Sequence, residues 1–185
     1  MNPIETLKTE HEAVRLTLRI LNIIVDGAKQ TGTVARTTHL EQLLEFFTVF
    51  VDTCHHGKEE ALLFPAMEAV GISRQGGPIG VMLSEHQQGR QYVQGMKAAL
   101  ARINAGAAAA VEELARHAAA YIQLLDQHIE KENQVLFPMA TRHLSATQLN
   151  ALDEGFESIE ADKIGVGRHE EFHHMLDDLQ RVYLE

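Results

Sequence analysis

The sequence predicts an all-α protein, an up-down-up-down four-helix bundle with a C-terminal helical extension. Three observations carry this expectation. Apolar residues recur at helical spacing in four long segments, and no segment alternates apolar and polar residues as a half-buried strand would. Ala, Leu, Glu and Gln dominate, with four prolines and no tryptophan, a composition of strong helix formers. The connections between segments are short, which favours antiparallel neighbours.

Each element has its own signals. Asn2 can cap a first helix that takes Pro3 at its first position. Leu7, Val14, Leu18, Leu21 and Val25 form its apolar stripe, until Gly27 and Gly32 break it. A second helix is expected from about residue 37 to residue 70, with Leu40, Leu43, Leu44, Phe47, Val51, Leu62 and Leu63 facing inward. Pro65 marks a kink or an early end, because proline removes an internal hydrogen bond. Residues 71–78 (GISRQGGP) read as a loop. A third helix follows to about Asn104, with Val81, Met82, Val93, Met96 and Leu100 as its core face. A fourth runs from about Ala107 to His143, with Leu114, Tyr121, Leu124, Leu125 and Leu136 inside and Pro138 near its end. These segments make a bundle of residues 1–143. Residues 144–185 form an extension packed on it: Ser145 and Gln148 read as a capping box, and Gly165 and Gly167 precede a last helix from Arg168 to about Leu184.

Bulk properties narrow the function. The chain has 185 residues, enough for one domain with a substantial core. A formal charge of −10 argues against nucleic acid and anionic membranes as partners, since both demand basic patches. The polar, acidic start is no secretory or transit signal. No apolar run approaches the roughly 18 residues of a bilayer span. One cysteine, Cys54, excludes an internal disulfide and fits a reducing compartment, so a cytoplasmic location is expected.

The chain also repeats itself. Residues 55–67 read HHGKEEALLFPAM and residues 128–140 read HIEKENQVLFPMA. Both carry His, three residues, Glu, then Leu-Phe-Pro. Upstream lie matching fragments, T-E-H-E-A-V-R around His11 and S-E-H-Q-Q-G-R around His86. On a helix, residues four apart point the same way, so His55 and Glu59 form one donor pair and His128 and Glu132 another. Together with His11 and His86, two halves placed back to back offer four imidazoles and two carboxylates to one point, a ligand set for a pair of metal ions. One H-x-x-x-E alone also serves as a surface ion pair; two matched copies that kept His and Glu while neighbours changed point to metal. Mixed His/Glu ligation without thiolate suits iron or manganese, with zinc possible. The Leu-Phe-Pro repeats read as packing that seals the site.

The arrangement resembles the hemerythrin-like family, the HHE cation-binding domain, over roughly residues 1–143. The resemblance rests on His11, His55-x-x-x-Glu59, His86 and His128-x-x-x-Glu132, and it implies a non-haem di-iron centre in a four-helix bundle. By analogy Glu59 and Glu132 bridge two iron ions, His11 and His55 bind one, and His86 and His128 the other. The chain departs from the oxygen-carrying members in two places. Arg90 stands where their third helix has a second His, and the last motif is H-x-x-x-E rather than H-x-x-x-x-D. Arg90 cannot ligate a cation, so a replacement is needed. His56, about 100° round the helix from His55, is the candidate, with His169 or His173 of the last helix as alternatives. His39, His117 and His143 lie outside every motif and read as surface residues; Tyr92 and Tyr121 read as core. The resemblance implies a small-molecule partner: dioxygen, peroxide or nitric oxide. Carrier, sensor, enzyme and iron-handling module all remain open.

Overall fold

The computed structural model describes residues 2–165 and 167–185, and they form helices joined by short turns, with no strand among them. Helix α1 (Pro3–Thr31) opens as its first residues dictate: Asn2 Oδ1 accepts the Ile4 N–H at 3.0 Å, and Pro3 occupies the first turn. It runs unbroken through Gly27 and ends only at Gly32, whose φ of 73° is the left-handed conformation that glycine adopts without penalty.

The second rod is continuous from Thr37 to Ala69. It comprises α2 (Thr37–Phe46), a π-helical stretch Phe47–His56, a second π-helical turn Glu59–Leu63, and α3 (Phe64–Ala69). Pro65 does not end it. The proline falls in the first turn of α3, and the wider π turn before it sends the Phe64 N–H to the carbonyl of Glu59. After α4 (Pro78–Asn104) and α5 (Ala110–Lys131), the same device recurs: a π turn Glu132–Leu136 sends the Phe137 N–H to Glu132, and α6 (Phe137–His143) carries Pro138 in its first turn. Isolated π turns of this kind gather at functional sites.

The extension is α7 (Ala146–Ile159), a π turn Glu160–Ile164 and α8 (Arg168–Tyr183). The capping box at Ser145 and Gln148 is present in full. Both helices pack on α1, α8 also reaches α2, and the Glu160–Ile164 turn lies against the Phe47–His56 stretch. His39 Nδ1 and the Tyr183 hydroxyl, 2.9 Å apart, tie α8 to α2, so His39 is partnered rather than a bare surface residue.

Two apolar clusters make the core. One holds Val14, Leu18, Leu40, Phe47, Val51, Val93, Met96, Tyr121 and Ile129, closed by Phe172, Leu176 and Leu179 of α8. The other holds Leu7, Leu63, Phe64, Met82, Leu136 and Phe137, closed by Leu152 and Phe156 of α7. One expected core residue is misplaced: Val81 is 47% exposed, and its neighbour Met82 takes the inward position. In every long rod the sequence passes from one cluster to the other through a polar interval. His11 lies between Leu7 and Val14, His86 between Met82 and Val93, residues 55–59 between Val51 and Leu63, and Glu132 between Ile129 and Leu136.

Candidate metal centre

The polar intervals meet in one buried layer. His11, His55, His56, Glu59, His86, His128 and Glu132 are all at most 4% exposed. Their donor atoms fall into two groups that share Glu59: His11, His55, Glu59 and Glu132, and His56, Glu59, His86 and His128, each with its ligand atoms within 4.8 Å of one another. The imidazoles face each other in pairs. His11 Nε2 and His55 Nε2 are 3.0 Å apart, and His86 Nε2 and His128 Nε2 are 3.2 Å apart.

The carboxylates lie between the pairs. Glu59 turns Oε1 toward His55 Nε2 (3.8 Å) and Oε2 toward His86 Nε2 (3.4 Å). Glu132 turns Oε2 toward His11 Nε2 (3.1 Å) and Oε1 toward His128 Nε2 (3.2 Å). None of these four oxygens makes a hydrogen bond, and neither does His56 Nε2. Nitrogens and oxygens thus converge on common points instead of pairing off. Two buried carboxylates without hydrogen bonds are costly by several kcal/mol each unless positive charge joins them, so the residues fit a cation site.

Protons show the same demand. Burial disfavours the imidazolium of His128, but Glu132, Glu85 and Glu59 overturn that and push its pKa up to about 10. His55 and His86 are likewise raised by nearby carboxylates against the effect of burial. Burial favours the neutral acid of Glu132, yet His128 and His11 hold its pKa well below the carboxylate range. His56 is the exception: burial and then His86 and His128 keep it neutral, its pKa well below the usual value.

An outer ring of partners fixes the imidazoles. His55 Nδ1 lies 2.7 Å from Glu10 Oε2, His128 Nδ1 2.9 Å from Glu85 Oε2, His86 Nδ1 2.7 Å from Glu60 Oε1, and His11 Nδ1 3.1 Å from Asn133 Oδ1. With each Nδ1–H donating outward, every Nε2 lone pair faces the centre. Lys58 and Lys131 then pair with Glu10 and Glu85 respectively. Phe137 stacks on His11 and Phe64 on His86, at ring separations of 5.4 and 5.9 Å, so the Leu-Phe-Pro copies do close the layer.

The model of the hemerythrin HHE cation binding domain matches residues 2–140. The chain belongs to that family. Uncharacterized proteins of Mycobacterium tuberculosis and Mycobacterium bovis are 28% identical to it over 163 residues, covering 87% of this chain and 62% of theirs. The chain therefore spans about three fifths of the length of these relatives. The iron-sulfur cluster repair protein YtfE of Musicola paradisiaca is 38% identical over 91 residues, 48% of this chain and 40% of that protein.

Within this HHE chain, His56 lies where its neighbours allow it to serve the second group. Its ring stacks on His86 at 3.8 Å, its Nδ1 is 3.4 Å from Asp52 Oδ1, and its Nε2 is free. Arg90 stays in the outer ring, donating to Asp52 and Glu60 at 2.7 Å each. His169 is not brought to the donor layer: it joins Glu10 and Glu160 beyond Lys58. His173 stands beside His169, at a ring separation of 5.0 Å. His117 is half-buried against Gly95, and His143 bonds the Met139 carbonyl on the surface.

Sequence reading missed Lys58 and Lys131, although the signal was visible: both copies read H-x-x-K-E. It also left unused the Glu before each isolated His. These residues reach across to the other motif of the same half, a relation that only the folded layer displays.

Proposed function

We propose that this chain is a non-haem di-iron protein that binds or reacts with dioxygen, peroxide or nitric oxide. The observation that supports it most is the division of each carboxylate, with one oxygen of Glu59 and one of Glu132 turned toward each imidazole pair. That is the donor arrangement for two bridged cations: Glu59 and Glu132 shared, His11 and His55 on one, His86, His128 and His56 on the other. Nitrogen and carboxylate donors without thiolate suit iron, with manganese or zinc less favoured. Bound iron would supply one-electron chemistry toward small oxidants.

The chain's own residues supply the rest. Glu10, Glu85, Glu60 and Asn133 hold the imidazole tautomers, and the two apolar clusters keep bulk water from the layer. In the repeat register Ile129 stands in the place of His56, so the His11/His55 side offers one imidazole fewer, and a cation held there would have room for a small ligand. The order of clusters along each rod supports an up-down-up-down bundle of residues 1–143 carrying residues 144–185 as its extension. The charge of −10, the lone buried Cys54 and the lack of any described helix long and apolar enough to cross a membrane accord with a small-molecule partner in the cytoplasm.

The likeness to a protein named for iron-sulfur cluster repair favours a second reading, iron handling or sensing without turnover. Elemental analysis of protein expressed with ample iron, followed by optical spectra during repeated additions of peroxide, separates the two. Two irons per chain with peroxide consumed over many cycles supports chemistry; two irons with no consumption supports handling or sensing. A metal content near zero in both aerobic and anaerobic preparations would overturn both.

A further inference from the structure

Beside the metal centre lies a cavity of about 160 Å³, bounded by the Phe47–His56 stretch, α4 and α5. At ~30 Å³ per water it has room for roughly five waters, or for one small organic molecule. His56 forms part of its wall, so the cavity sits one imidazole away from the donors of the second group.

The duplicated sequence supplies an internal control for what this space is. In the repeat register, Gly89 corresponds to Val14, Asp52 to Leu125 and His56 to Ile129. Val14, Leu125 and Ile129 are all buried members of the apolar core. The counterpart position is thus filled with hydrocarbon by Val14 of the first half and Leu125 and Ile129 of the second, whereas the chamber is lined by Gly89 of the second half and the polar Asp52 and His56 of the first. A Cβ added at Gly89 would meet Tyr121, Leu125 and Leu124 at ordinary contact distances of 3.5–3.8 Å, so packing does not require glycine at this place.

The lining is rich in unused donors. Tyr121 is 2% exposed, and its hydroxyl makes no hydrogen bond to any described residue. Tyr121 lines the chamber, so a bound acceptor there would give this donor a partner. Lys97 spends one N–H on Thr48 Oγ1 at 2.6 Å. Arg90 uses Nε and Nη2 on Asp52 and Glu60 and keeps Nη1. Asp52 is the one anion of the wall, and its Oδ1 already faces Arg90 and His56.

We propose that this chamber binds a small monoanion with oxygen acceptors, a carboxylate or inorganic oxyanion, held by Tyr121, Lys97 and Arg90 on the His56 side of the centre. The inference deepens the reading above by placing a reactant or effector next to the donor layer, but the binding itself needs no iron.

The test is a titration of zinc-loaded and of metal-free protein, followed by amide NMR at constant ionic strength, with sodium acetate, sodium nitrate and, as control, sodium chloride. Saturable shifts at Gly89, Gln94 and Tyr121 with acetate or nitrate but not chloride are expected, acetate and nitrate separating the organic from the inorganic source. Tyr121→Phe should weaken binding about tenfold. Lys97→Ala should weaken it severalfold. Gly89→Val, which installs the residue the first half carries, should abolish it while the melting curve stays near wild type. If Gly89→Val fails to fold, the first two variants still decide. Absent saturation, equal affinity in Tyr121→Phe and Lys97→Ala, or saturation of these amides by xenon and by neither anion would overturn the proposal. Because the metal-free sample reads the chamber alone, a failure of metal binding and a failure of anion binding are told apart.

Discussion

At the scale of residues, the donor layer is two copies of one design with a few decisive differences. The bridging assignment requires that either carboxylate matter to both ions. Glu59→Ala or Glu132→Ala should therefore lower metal content from near two per chain to below one, while His39→Ala leaves it unchanged; elemental analysis of the three purified variants checks this. His56→Ala should loosen one ion selectively, taking the content toward one, and His169→Ala should not, since His169 lies outside the layer. The lysines separate by burial. Lys58 is 0% exposed and pairs with Glu10, itself 4% exposed, while Lys131 is 39% exposed. Replacing Lys58 with Met removes the buried cation beside Glu10, leaving that carboxylate only His55 among the described residues, and should cost about 3 kcal/mol. Lys131→Met should cost under about 1 kcal/mol, and denaturant unfolding of the two variants will show the difference. At this scale the residues that converge in the layer were legible in the sequence, because His and Glu at a turn's spacing share one helix face. Their partners were not, because Glu10 serves His55 and Glu85 serves His128 across helices.

At the scale of elements, helix ends and spans followed from local chemistry. Asn2, Pro3, Gly32, Pro78 and the Ser145 box sit where capping physics puts them. Gly27 and Pro65 did not act as breakers. Gly27 sits in a rod whose next turn, through Ala28, is anchored in the core, and tertiary burial outweighs roughly 1 kcal/mol of glycine propensity. Pro65 is absorbed by a widened turn. That a π turn starts at Glu59 and at Glu132 and leads into each Leu-Phe-Pro copy ties backbone form to the donor layer. The Phe47–His56 stretch also buries Cys54. Burial pushes its thiol up to about 12, so the folded protein should resist iodoacetamide at pH 8 and become fully alkylated in denaturant, as mass spectrometry will show; rapid native labelling would contradict the burial.

At the scale of the whole molecule, the metal layer separates two apolar clusters, and its charge balance governs stability. Without metal, the raised pKa values of His55, His86 and His128 mean that protons stabilise the folded state. Since these folded values exceed the ordinary 6.5, that contribution is complete below pH 6.5 and is lost as pH rises, for His128 up to about 10. Metal needs the same nitrogens deprotonated. The melting temperature of loaded protein should thus exceed that of stripped protein by several degrees at neutral pH. The gap should widen as pH is raised above 6.5, and scanning calorimetry at pH 6, 7.5 and 9 measures it; identical curves would count against metal as part of the fold. By itself the sequence determined the helical class, the rod boundaries to within a few residues and the seven donors of the layer, since periodicity, capping and ligand spacing are local properties. Tertiary structure alone decided that α7 and α8 each complete a different core cluster, that Lys58 is sealed inside, and that Gly89, Asp52 and His56 open a chamber whose counterpart is filled by Val14, Leu125 and Ile129. Those outcomes depend on which side chains from distant segments compete for the same space, and spacing along a chain does not encode that.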